Sequence, residues 1–138
     1  MSTLVVDACV AVKWFLPEVH SEAAARLLEG NDVLIAPDLI WVEAANAVWK
    51  RLVRGEITTA EAREIVGGIA DTPLLTEPTR GHVEAAFEVA AAAGCTVYDA
   101  VYFALAEARD CRMVTADRSL HSKLHEAGLG DRVLWVEE

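Results

Sequence analysis

The chain has 138 residues, 54% of them hydrophobic, which suits a single domain over residues 1–138 with a core of its own and excludes a disordered polymer. Its 22 acidic residues outnumber 12 Lys and Arg, giving a formal net charge of -10, so any polyanion would have to be held by local cations and not by a broadly basic surface. Cys9, Cys95 and Cys111 show neither C-x-x-C nor zinc spacing, which excludes a disulfide framework and favours a reducing compartment.

Leu4, Val5 and Val6 form a short apolar run ending at Asp7, which reads as a buried strand with a carboxylate at its C-terminal end. Nothing resembling a basic leader precedes it, and no apolar stretch reaches membrane-spanning length, so a cytoplasmic protein without a membrane partner is expected. Val33, Leu34 and Ile35 form a second strand stopped by Pro37. Asp38 is placed to cap the helix that follows, which carries Glu43 and runs to about Arg54 before Gly55. Thr58 or Thr59 opens another helix, with Gly67 and Gly68 as its weak point.

Leu74 and Leu75 suggest a short strand before Pro78. The alanine-rich pattern from Thr79 to about Ala93 is helical and stops at Gly94, and a further helix spans about Val97 to Ala108, with Asp99 in its first turn, where the helix dipole favours negative charge. Arg112 to Thr115 reads as a strand, Asp117 opens a helix ending near Gly128, and Val133 to Val136 forms the last strand. Strands alternating with helices predict an α/β fold, a three-layer sandwich whose mostly parallel central sheet is flanked by helices.

Asp7, Glu43, Asp99 and Asp117 each lie in or beside an apolar stretch, where an unpaired carboxylate is costly. Ligands in such sheets bind outside the carboxyl ends of the strands, where Asp7 and Asp117 fall; Glu43 and Asp99 join them only if their helices converge on the same rim. Close carboxylates repel one another, by roughly 4 kcal/mol per pair at 4 Å and an effective dielectric near 20, so a cluster calls for a hard divalent cation. Mg²⁺, or Mn²⁺ in its place, prefers oxygen donors and suits phosphodiester hydrolysis by an activated water.

Four ordered blocks carry a resemblance over nearly the whole chain: V-V-D-A-C-V-A-V-K-W-F at Val5 to Phe15, A-P-D-L-I-W-V-E-A-A-N at Ala36 to Asn46, T-V-Y-D-A-V-Y-F-A-L-A at Thr96 to Ala106, and V-T-A-D-R at Val114 to Arg118. Together they resemble the PIN-domain ribonucleases, most closely the VapC toxins of type II toxin-antitoxin pairs. The resemblance implies a metal-dependent endoribonuclease acting on RNA, with Asp7, Glu43, Asp99 and Asp117 as its catalytic and metal-binding acids. It makes Asp7 and Asp99 the direct ligands, and gives Thr115 and Asn46 supporting roles at the border of the site. It further implies a homodimer and a cognate small antitoxin whose tail occupies the acidic groove. One departure stands out: Cys9 occupies a position that in related proteins commonly carries a hydroxyl, and a thiol is a weaker hydrogen-bond partner.

Two other classes fit parts of the pattern, namely a receiver-like phosphoacceptor domain and a catalytically idle acidic module that binds a basic peptide. Against the first, Asp7 has no paired acid beside it. His121 and His125 are four residues apart but lack the H-E-x-x-H pattern, and no Ser-His-Asp or Cys-His arrangement supports a covalent nucleophile. Candidate cations for a polyanion are Lys50, Arg51 and Arg54 at one helix end and Arg118 and Lys123 after the last acid.

Overall fold

In the computed structural model, which describes residues 2–138, the chain forms five strands: β1 (Thr3–Val6), β2 (Val33–Pro37), β3 (Leu75–Glu77), β4 (Arg112–Thr115) and β5 (Val133–Trp135). Every pairing is parallel and the order across the sheet is β3-β2-β1-β4-β5. The chain therefore builds outward from β1 in one direction, then crosses back to continue on the other side. The point where the order reverses lies between β1 and β4, and a crevice opens there at the carboxyl ends of the strands.

Seven helices cover the sheet: α1 (Ala8–Val12), α2 (Ser21–Glu29), α3 (Leu39–Val53), α4 (Thr59–Ile69), α5 (Val83–Ala93), α6 (Val97–Ala108) and α7 (Arg118–Glu126). Right-handed crossovers in opposite directions send α1 to α4 to one face and α5 to α7 to the other, consistent with the mutual packing within each set. The expected three-layer α/β sandwich is observed, with a sheet that is wholly parallel.

Two of these helices are not legible in the sequence. α1 is only five residues long, too short for a helical period to show, and the sequence assigns it no element; it is helical because the Asp7 side chain accepts from the Val10 amide and turns the chain off the sheet. α2 buries only Ala23 and Ala24, so its apolar stripe is narrow. The Trp14 indole ties the two together by donating to the Ala24 carbonyl at 2.8 Å.

The main core gathers β1, β2, β4 and β5 with α6, whose residues Ala100 to Ala106 are all buried. A second cluster, Val12, Leu16, Ala44, Val48, Ala62 and Ile69, joins α1, α3 and α4, and Trp41 packs against both. That packing keeps α4 unbroken through Gly67 and Gly68 to Ile69, so the expected weak point is not one; its N-terminus is closed by a capping box between Thr58 and Glu61. Asp38 differs from expectation as well. Its carboxylate makes no cap on α3 but accepts from the amide and hydroxyl of Thr79, whose hydroxyl oxygen in turn accepts from the Leu39 amide. Asp38 thus pins the start of α3 to the segment after β3. Among the described residues no single helix is long and apolar enough to cross a membrane.

The turn at Gly94 decides where α6 begins. Gly94 has φ 74°, with no atom near its missing side chain, so only backbone strain opposes a substitution. Gly94→Ala is expected to cost about 1–2 kcal/mol of stability in urea denaturation with an unchanged denaturant slope; an undiminished midpoint would show that the left-handed turn is not required.

Candidate active site

Four carboxylates reach the crevice by different routes. Asp7 follows β1 directly, and its amide extends the β1–β4 ladder by donating to the Val114 carbonyl at 3.3 Å. Asp117 lies two residues beyond β4, where it caps α7 by accepting from the Leu120 amide at 3.1 Å. Asp99 sits in the first turn of α6; because α6 runs down the sheet to enter β4, its N-terminus stands at the same rim as the strand ends. The Thr96 hydroxyl caps that turn by accepting from the Asp99 amide at 3.1 Å. Glu43 lies on α3, which leaves β2 at that rim, and is tied across the crevice to α6 by the Tyr102 hydroxyl, which donates to it at 2.5 Å.

Of the four acids only Asp7 is buried, at 5% exposed. Glu43 and Asp99 are half-buried and Asp117 is exposed, because the rim is open to solvent at the helix starts. Asp7 accepts from the Thr115 hydroxyl at 2.5 Å, the Cys9 thiol at 2.9 Å and the Val10 amide at 3.0 Å. Among the described residues no buried side-chain oxygen or nitrogen is left without a partner. Even so, burial pushes Asp7 up to about 6, three hydrogen bonds pull it back, and the Asp99 charge adds to the rise. Glu43 is also raised, first by burial and then by Asp99, with Tyr102 opposing. Asp99 is raised by burial and by the charge of Asp117, and Lys123 works in the opposite direction. These mutual effects mean that the four acids share one electrostatic site.

Thr115 is fully buried and connects the two strand-end acids: it donates to Asp7 while its oxygen accepts from the Asp117 amide at 3.1 Å. The Cys9 thiol does the work of the missing hydroxyl, since it donates to Asp7 and its sulfur accepts from the Ala116 amide at 3.4 Å. Burial and the adjacent Asp7 charge push this thiol far up, so it stays protonated and remains a donor. Tyr102 is the site residue that the sequence reading passed over. Its ring is buried in α6, and burial and Glu43 hold its hydroxyl protonated as a donor. The available signal was its position three residues after Asp99, one helical turn along the same face.

Asn46 is exposed on α3 and, with Glu43 and Asp99, lines a cavity of about 680 Å³. The donor set at the rim is all oxygen, which suits a hard divalent ion such as Mg²⁺ or Mn²⁺ and does not suit a soft one. Among the described residues no three His, Cys, Asp or Glu groups stand close enough to form a ready-made metal cage. His121 and His125 have ring centroids 4.4 Å apart with planes tilted at 43°, and His121 meets Trp135 edge-on.

The raised Asp7 has a measurable consequence. Its ordinary value is 3.8 and its folded value about 6, so folding favours the protonated form. That contribution is full below about pH 4 and is lost as pH rises through 6, leaving a penalty on the order of 3 kcal/mol at neutral pH in the metal-free protein. In chelator, the melting temperature of the wild type should fall between pH 4 and 7 more steeply than that of Asp7→Asn, and the variant should be the more stable at pH 7. Parallel profiles would mean that Asp7 ionises normally.

Comparison with known proteins gives this constellation its relatives. The family model for the PIN domain matches residues 4–124. The chain is 35% identical over 122 residues to Ribonuclease VapC3 of Pyrobaculum aerophilum, covering 87% of this chain and 93% of that protein. It is 32% identical over 117 residues to Ribonuclease VapC9 of Mycobacterium tuberculosis, covering 85% and 87%. The crystal structure of PAE2754 from Pyrobaculum aerophilum superimposes with a TM-score of 0.70 at 26% identity, covering 99% of this chain and 90% of that one. With its parallel sheet, its reversal between β1 and β4 and its acids at that point, the chain belongs to the PIN-domain family, and within it to the VapC branch.

Proposed function

We propose that this protein is a metal-dependent endoribonuclease, the toxin of a type II toxin-antitoxin pair, hydrolysing RNA phosphodiester bonds in the cytoplasm. The observation that carries the reading is the electrostatic coupling of Asp7, Glu43, Asp99 and Asp117, three of them raised by burial and by one another's charge. Such a set is unfavourable unless a cation is shared among its members. The VapC ribonuclease names of its relatives support the same activity.

In this reading Asp7 and Asp99 would hold Mg²⁺ or Mn²⁺ directly, and Glu43 and Asp117 would complete the acidic set. When bound, the ion supplies a Lewis acid that offsets negative charge on the reacting phosphate and favours an attacking water. The chain's own contribution is to fix the ligands. Thr115, Cys9 and the Val10 amide immobilise Asp7, and Tyr102 holds one oxygen of Glu43 and leaves the other free. A carboxylate must be deprotonated to hold the ion, so ion binding would strengthen as Asp7, pushed up to about 6 by burial, gives up its proton.

Purified protein should cleave single-stranded RNA with Mg²⁺ or Mn²⁺, stop in chelator, and lose on the order of 100-fold or more in kcat/KM on Asp7→Asn or Asp99→Asn, the effect expected for removing one preorganised electrostatic group. Undiminished cleavage by both variants would overturn the assignment. An idle acidic module, the second reading, would show no carboxylate-dependent binding of Mn²⁺ in calorimetry and would not cut RNA.

A homodimer and a cognate small antitoxin belong to the same proposal. Self-association is supported by large apolar side chains left exposed at helical spacing, Trp49 and Val53 on α3 and Val83 and Phe87 on α5. The two pairs lie on helices at opposite faces of the sheet, and the α5 pair, Val83 and Phe87, is the patch that a second copy would cover. Phe87→Glu is expected to shift the sedimentation coefficient from dimer to monomer; a wild type that sediments as a monomer at all concentrations would remove the dimer from the proposal.

A further inference from the structure

We infer that the cavity beside the acids is a groove for single-stranded RNA, in which Lys50 and Arg54 hold backbone phosphates away from the cut and Tyr98 stacks on a base next to it. This rests on the ribonuclease reading above and adds to it the residues that set the path of the substrate.

Glu43, Asn46, Lys50 and Arg54 follow one another at intervals of three, four and four residues, so they form one stripe along α3. All four line the same cavity of about 680 Å³. At about 1.5 Å per residue the stripe extends roughly 16 Å from Glu43 to Arg54, which places its cationic end well beyond a phosphate held at the acids. Lys50 and Arg54 are exposed, and among the described residues neither has an ion-pair or side-chain hydrogen-bond partner. Their neighbour Arg51 is different. It is engaged by Glu18 and, at 3.2 Å, by Glu56, while Glu18 also holds Lys13 at 2.8 Å. The cluster around Arg51 is therefore internally neutralised, and the free charge at the groove end belongs to Lys50 and Arg54.

The other end of the cavity is lined by Tyr98, which is 63% exposed and adjoins Asp99 in the chain. Its ring has no aromatic neighbour and its hydroxyl no hydrogen-bond partner among the described residues. An exposed, unpartnered aromatic ring at one end of a groove and free cations at the other are the two parts of a surface that binds unpaired nucleic acid. Base stacking requires an unstacked base, which a duplex does not offer. On a chain of net charge -10, two cations aligned with the site have to supply the attraction that the overall field opposes.

Both cations also lie near the C-terminal end of α3, where positive charge favours the helix dipole, so the test has to separate substrate binding from helix stability. The full chain is assayed for binding of an unstructured, fluorescently labelled RNA oligonucleotide in chelator across a salt series, and for KM and kcat with Mn²⁺. Lys50→Gln and Arg54→Gln should each raise Kd and KM with little change in kcat and flatten the log–log salt slope by about 0.7. Tyr98→Ala should weaken binding about tenfold, whereas Tyr98→Phe keeps it. Arg112→Gln, the same charge change at the amino-terminal end of β4 and so at the opposite rim of the sheet, should match wild type. A blunt RNA duplex should bind less tightly and show no dependence on Tyr98. Wild-type binding by the Lys50, Arg54 and Tyr98 variants overturns the inference, as does an equal loss in Arg112→Gln or a fall in melting temperature with unchanged KM. Binding that follows the expected pattern without any cleavage would sink the ribonuclease reading and leave the groove standing; cleavage with an unchanged KM would do the reverse.

Discussion

One buried hydroxyl holds the site together. Thr115, at the last position of β4, donates to Asp7 at the end of β1 and accepts the backbone amide of Asp117. It does so across the strand pair where the sheet order reverses, the one place in a parallel sheet where the loops leaving two adjacent strands diverge to opposite faces. The β1–β4 register, with Val6 opposite Val114, decides this contact. A slip of one residue would turn Thr115 to the other face of the sheet and leave the Asp7 carboxylate buried with one donor fewer.

The remaining acids arrive by way of helices, and their placement follows from chain direction. α6 runs down toward β4 and so starts at the rim; α3 leaves β2 and so also starts there. Tyr102 bridges the two helices through Glu43, using a ring buried in the core to aim a hydroxyl at the crevice. The convergence thus depends on α6 being buried on all sides from Ala100 to Ala106, so that its position cannot adjust without disturbing both the sheet and α5.

Electrostatics sets the opposing constraint. An acidic protein gathers several half-desolvated carboxylates at one rim, which raises Asp7, Glu43 and Asp99 above their ordinary range. Hydrogen bonds from Cys9, Thr115 and Tyr102 soften that cost without abolishing it, because neutral donors stabilise a carboxylate less than a cation does. The residual instability is what makes the site receptive to positive charge. The thiol at Cys9 serves here as a donor as a hydroxyl would, since its own ionisation is suppressed by the neighbouring acid.

The sequence by itself determined the class of fold and most of its elements and singled out the four candidate acids, because each is written locally: apolar runs with helical or strand period, Gly94 after α5, Thr58 and Asp117 at helix starts, and four separate motif blocks. It did not determine α1 and α2, whose apolar patterns are too short or too narrow to read, nor the partner of Asp38, which is Thr79, 41 residues along the chain. Only the tertiary structure decided that Asp7 alone among the acids is buried, that Tyr102 reaches Glu43, and that Lys50 and Arg54 remain free while Arg51 is engaged. The physical reason is that burial and pairing are properties of distant segments brought together by packing, and local sequence records what a side chain is without recording what will stand opposite it.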